Sequence, residues 1–245
     1  MTEETILPTR KAILARYRPI RTSIQTVLAA AVKHCRKPDL DRAAKHLDLT
    51  DREQLEDEET SAMLFDVALF EPNQRGRRAF DGFLDKRIDA LDAASQDVAR
   101  RLGTAFFSIF HVAGRHEIAG VWLEDMLTPK RRLWLLDESL EISASEGLVI
   151  AMRVFDADPF HAGFGIVVQP DAEAVAFCTS AAARGEPLPV RHSLAAALYG
   201  DDIARSAVSD AIESGLAQGM LDAMMTELLT QLPAQTPGKR PPRRS

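Results

Sequence analysis

The residues most able to do chemistry in this 245-residue sequence are six histidines and two cysteines. His34, Cys35 and His46 sit near one another, and such side chains can bind zinc. A structural zinc site needs four converging ligands at knuckle or helical spacing, and neither Cys-x-x-Cys nor His-x-x-x-His occurs. His111, His116 and His161, with Glu117 beside His116, would form a hydrolase or transferase site only if the fold gathered them into one pocket. Their spacing alone reads as surface or packed imidazoles. Cys178, in Ala-Phe-Cys-Thr-Ser, reads as a buried thiol on an apolar helix rather than a nucleophile.

Other catalytic patterns fail on context. Gly163-x-Gly165 lacks a third glycine and leads no strand into a helix, so it cradles no dinucleotide. No Gly-x-Ser-x-Gly elbow presents a serine. The carboxylates of 53–59 read as one solvated acidic face. The sequence therefore assigns no catalytic, cofactor or metal residue, and the chain reads more as a binding protein than as an enzyme.

Charge carries more information. The net charge is −6, yet residues 1–45 hold ten Lys/Arg against four Asp/Glu. The end adds Lys239, Arg240, Arg243 and Arg244, so the stretch between is strongly acidic. Arg10, Lys11, Arg16, Arg18 and Arg21, with that tail, form a candidate polyanion contact. The competing reading is a basic helical face resting on the chain's own acidic surface. Overall acidity counts against an autonomous nucleic-acid binder, whose affinity comes from neutralised phosphates. Residues 40–49 look like the first helix of a helix-turn-helix. Against that, Asp48 stands where the turn favours glycine, and the following segment carries six acidic residues that would repel DNA. Gly215-x-x-x-Gly219 beside Met220 and Met224 marks a smooth, adaptable helix face, a candidate for self-association or a protein partner.

Four segments must position these residues. Residues 1–104 read as helices: a short one opened by Thr9 and ended or kinked by Pro19, then a stripe at Ile24, Val27, Leu28, Ala31 and Val32. Asp39 is read as the cap of the next helix. Residues 105–170 switch to five short β-branched and aromatic runs with tight turns, a small antiparallel sheet or barrel bent at Gly163 and Gly165. Helices resume over 171–232, one of them capped by Ser193, and 233–245 is a basic, Pro-rich, disordered tail. The fold class is α+β. Two cysteines suit a reducing cytoplasm, and the apolar run 27–32 is too short for a membrane span.

Ala43-Ala44-x-x-Leu47, Glu58-Glu59 through Leu64-Phe65-Asp66-x-x-Leu69-Phe70, and Phe106-x-Ser108-Ile109-Phe110-x-Val112 follow one another in a telling order. The order resembles an uncharacterised bacterial family in which a helical segment precedes a small all-β module. Val121-x-Leu123-x-Asp125-Met126-Leu127-Thr128, Asp137, and Gly147-Leu148-x-Ile150-Ala151-x-Arg153-Val154 match the module. The resemblance covers about residues 40–170 and implies the fold. Relatives of the module occur beside SecA-C-type zinc motifs, which this sequence lacks, and no activity transfers. It leaves strand-capping or a buried pair as roles for Asp125 and Arg153. The expectation is a cytosolic, non-enzymatic interaction or adaptor protein. The alternative is an accessory nucleic-acid-binding or regulatory protein using the basic arm and tail.

Overall fold

Helix α1 (Arg10–His34) begins at Thr9, whose hydroxyl accepts the Ala12 N–H at 3.3 Å. It buries Ile13, Tyr17, Ile24, Val27 and Ala31 along one stripe. Pro19 lies inside this helix and does not end it. Proline removes one helical donor, but the buried residues on both sides of it face the same core, and that packing carries the helix through. The computed structural model describes residues 9–50 and 53–209. Chain contacts divide at Ile203, and the core and site described below lie within the unit ending there.

Helices α2 (Lys37–His46), α3 (Glu58–Phe70), α4 (Ala79–Arg87) and α5 (Ala93–Leu102) complete the amino-terminal region. Asp57 and Asp92 cap α3 and α5 through their side chains. Arg36, not Asp39, precedes α2 as its N-cap residue. Asp39 sits buried in the first turn, where Arg36 and Arg42 reach its carboxylate at 3.4 and 3.2 Å. Asp48 does adopt the left-handed turn expected of glycine, with φ 53°. Helix α3 is buried nearly throughout, so it cannot enter a DNA groove as a recognition helix.

Five strands follow: β1 (Phe106–Arg115), β2 (Val121–Asp125), β3 (Arg132–Leu135), β4 (Val149–Asp156) and β5 (His161–Val168). They close into a barrel in the order β1-β2-β3-β5-β4, with β1 pairing back to β4. The sheet is mixed rather than wholly antiparallel, because β3 and β5 pair in parallel at Leu135 and His161. A short helix, α6 (Glu138–Ser143), connects β3 to β4 behind an Asp137 cap. This order and this inserted helix are those of the five-stranded OB barrel. Helices α7 (Ala172–Ala183) and α8 (described over 194–209) follow. The Ser193 hydroxyl caps α8 by accepting the Ala196 N–H.

Alternation along the strands divides the core. Phe110, Val112, Leu123, Leu135, Ile150 and Met152 fill the barrel. The next residues along β1 and β4, Ile109 and Ala151, point outward and pack against α2, α3 and α8 through Ala43, Met63, Val67 and Leu198. On the other side Phe155, Phe160 and Phe164 meet α1, α4 and α5. Strand β4 is thus buried on both faces, which explains its nearly continuous apolar run. Two glycines are required by geometry. Gly120 has φ +78°, and a Cβ there would collide with the Leu135 carbonyl. Gly165 has φ +75° and would place a Cβ 3.5 Å from Asp66 and 3.6 Å from Tyr199.

Candidate anion-binding cleft

In OB barrels, strands β2 and β3 with the β1–β2 and β4–β5 loops commonly hold oligonucleotides or oligosaccharides. Here that region is filled by the protein itself. Arg10 of α1 donates to the Ile118 carbonyl in the β1–β2 loop at 3.3 Å, and Arg16 donates to the Asp158 carbonyl in the β4–β5 loop at 2.8 Å. Tyr17 meets Phe160 edge-on at 6.1 Å. On the sheet face Trp122 and Trp134 are cross-strand partners. His116 stacks on Trp134 at 3.9 Å and leans against Trp122 at 4.6 Å, while Arg132 covers the Trp122 ring. Both indole faces therefore have protein partners where a base would stack.

The arginines expected to form a polyanion contact take part in this closure. Arg10 pairs with Glu141 and Arg18 with Glu138, both on α6. Arg21 donates to the Gly163 carbonyl at 3.2 Å. These pairs hold the Glu138 and Glu141 carboxyls below their ordinary range, chiefly through the arginine hydrogen bonds. Lys11 is exposed. Gly215, Gly219, Met220, Met224, Lys239, Arg240, Arg243 and Arg244 lie outside the described residues.

A different set of cations meets around a cleft made by α2, the 71–78 segment and residues 191–193. The cleft comprises two hollows of about 920 and 310 Å³, which share Asn73 and Arg75 as a common wall. Eight Lys/Arg against four Asp/Glu line the two together. Its floor is tied down. Arg42 spans from the Asp39 carboxylate to the Ala68 and Glu71 carbonyls, satisfying the carboxyl end of α3. The segment after α3 is a hydrogen-bonded turn. Asn73 Oδ1 accepts the Arg75 and Arg77 N–H groups, Asn73 N–H donates to the Arg77 carbonyl, and Gly76 turns the chain at φ +73°. Arg78 binds Asp81 and the Gly103 carbonyl. Arg75, Arg77, Lys45 and Lys86 stay exposed, and no carboxylate pairs with them among the described residues.

The third wall carries an imidazole pair. His46 and His192 stack at 3.9 Å with their planes 9° apart. Burial, then the neighbouring His192, pushes His46 below its ordinary value, which keeps it neutral at pH 7. Its Nδ1 and the Nε of Arg42 are buried with no hydrogen-bond partner among the described residues. Arg191 reaches Asp48 at 3.6 Å, with both side chains more than 70% exposed; such a pair is weak and easily exchanged.

Behind the cleft, Arg153 of β4 grips Asp66 through Nε at 2.9 Å and Nη2 at 3.0 Å, and reaches Glu71 at 2.8 Å. The two carboxylates hold its guanidinium firmly charged against burial. Phe70 and Phe107 face the same guanidinium. Arg153 therefore forms a buried pair. Asp125 takes the turn-capping role: Oδ1 accepts the Ser108 hydroxyl and the Leu127 and Thr128 N–H groups, and Arg131 lies 3.3 Å from Oδ2.

No ring, hydrogen-bond or ion-pair contact among the described residues joins His111, His116 and His161. Among the described residues no group of three metal-ligating side chains is placed to hold an ion. Cys178 is buried. Sequence reading missed Lys45, Arg75, Arg77, Lys86 and Arg191. The Arg75-Gly76-Arg77-Arg78 run carries the signal.

These features define an α+β protein in which helices cover a five-stranded barrel and a basic cleft opens beside it. The chain belongs to a family described as "Family of unknown function (DUF7986)", whose profile matches residues 11–173. Searches of curated proteins and of solved structures found no match. No described helix is long and apolar enough to cross a membrane.

Proposed function

We propose that this chain is a non-enzymatic interaction protein of the bacterial cytoplasm, and that its bipartite cleft receives an acidic segment of a protein partner. One observation carries the reading. A chain of net charge −6 gathers an excess of cations around two adjoining hollows, and four of them form no ion pair with a carboxylate of the described residues. Such a focus steers an anionic partner and fixes its register. A long duplex would also have to lie across the acidic remainder of the surface, whereas a short acidic segment meets only the cleft. The cytoplasmic setting is supported by two free cysteines, and the bacterial one by the sequence resemblance. The Gly215–Met224 face belongs to this proposal as a second contact, with self-association or with the same partner.

A nucleic-acid-binding or regulatory role through the arm and tail is the second reading, favoured by the OB strand order. Affinity capture from the native cytosol, with and without nuclease, separates the two. We expect protein bands that survive nuclease and disappear with Arg75→Glu/Arg77→Glu. Recovery that nuclease abolishes, or bands indifferent to those substitutions, would remove the cleft from its assigned role.

A further inference from the structure

We infer that the anion this cleft accommodates is a phosphomonoester, seated in the larger hollow against Lys45, Arg75 and Arg191. The inference rests on the acidic-partner reading and narrows its chemistry. The three cations come from three separated segments, α2, the 71–78 turn and the stretch before α8, and they line one hollow. Donors carried by different walls approach a ligand from different sides. A carboxylate offers two oxygens in one plane and a single charge. A phosphomonoester offers three terminal oxygens in a tetrahedral array and roughly −1.5 to −2 charge at neutral pH. Its extra oxygen and its higher charge let it meet donors from three walls more fully than one carboxylate does.

The kinds of donor agree with this. Arg75 and Arg191 bring planar guanidinium forks that grip phosphoryl oxygens in pairs, and Lys45 adds a point charge. Arg191 gives up only its long, solvated contact with Asp48. The wall at Ser193 is the amino end of α8, whose dipole favours an anion on that side. The stacked His46–His192 pair lines the same hollow. Arg42 and His46, whose buried Nε and Nδ1 have no hydrogen-bond partner among the described residues, line the same hollow from its floor and its third wall. At about 920 Å³ the hollow is much larger than a phosphoryl group, leaving room for the chain that bears it. The smaller hollow, with Arg77 and Lys86, takes flanking acidic groups.

Fluorescence anisotropy on the full chain tests the assignment with labelled peptide pools of randomised flanks around a fixed phosphoserine or a fixed glutamate. The phosphoserine pool should bind at least about tenfold more tightly, since charge-assisted phosphoryl contacts outweigh carboxylate ones here. Arg75→Glu should abolish that binding, and Arg75→Lys should weaken it by losing the fork while keeping the charge. Inorganic phosphate should compete. Equal binding of both pools would overturn the phosphomonoester assignment while leaving the acidic-partner reading intact. Failure of both pools to bind would overturn the two together. Free O-phosphoserine competing as well as the peptides would keep the phosphoryl chemistry and reject the protein partner as its source.

Discussion

Along α1, Arg10, Arg16, Arg18 and Arg21 each end on an acceptor of the same chain. Around the cleft, Lys45, Arg75, Arg77 and Lys86 end on no carboxylate of the described residues. The two groups are alike in composition, and what distinguishes them is the surface the fold lays opposite. Helix α1 crosses the acidic α6 and two loops with outward carbonyls. The 71–78 turn satisfies its backbone internally through Asn73 and leaves Arg75 and Arg77 exposed. A run of arginine is therefore a clamp or a receptor according to its neighbours, and α1 closes the very barrel rim that would otherwise invite a ligand.

Arg153 offers the largest way to break this contrast, because Glu71 belongs to both its network and the cleft. Replacing Arg153 by Met leaves two carboxylates buried without their cation and should cost about 3–5 kcal/mol. Urea unfolding followed by circular dichroism measures it. Should Arg153→Met fail to fold, Arg153→Met/Asp66→Leu, which also removes the buried Asp66 charge, should recover much of the loss. A single variant within about 1 kcal/mol of the parent would mean that the network does not hold the helices to the barrel.

The two tyrosines sharpen the comparison next, since one lies under each region. Burial pushes Tyr17, beneath α1, up to about 12, with Asp137 adding to the shift. Tyr199, beside Asp66 and Arg153 behind the cleft, is raised well above 10, again mainly by burial. The fold favours the neutral phenols. Their contribution is complete below the unfolded value near 10 and declines as pH rises from there towards the raised values. Absorbance titration should show no tyrosinate before alkaline unfolding, and then both rings ionising together. A ring that titrates near pH 10 in folded protein, assigned with Tyr17→Phe and Tyr199→Phe, would identify the more loosely docked helix.

Much of the fold is legible in the residues because burial writes a period into them. The aromatic and β-branched runs over 106–112 and 148–155 announce strands, and the Ile24–Ala31 stripe announces a helix. Other features leave no such mark. Helix α6 is one short acidic turn and a half, recognisable only once Asp137 is seen to cap it. The parallel β3–β5 contact is a property of chain closure, and no local pattern specifies it. Pro19 reads as a stop because its cost is local while the packing that overrides it is not. The cleft is the least legible, since Lys45, Arg75 and Arg191 are separated by at least thirty residues. Counting charge over 1–45 joined Arg36, Arg42 and Lys45 to the α1 arginines, although the fold sends them to a different surface.

The smallest effect gives the most direct check on that division. Arg10→Gln/Arg18→Gln removes two solvent-screened pairs, so the loss of thermal stability near neutral pH should be slight. Its signature lies in acid. In the parent, Glu138 and Glu141 are held below the ordinary value of 4.5 by Arg18 and Arg10. Their stabilisation is present above that value and disappears as pH falls through the lowered ones, because the unfolded chain takes up protons first. Parent stability should thus fall more steeply than the variant's below about pH 4.5, as melting temperatures across a pH series would show. Capture of the acidic partner should be unchanged, in contrast to Arg75→Glu/Arg77→Glu. A double glutamine variant that loses its partner as completely as the cleft variant would make α1 a receptor as well as a clamp, and the contrast between the two surfaces would collapse.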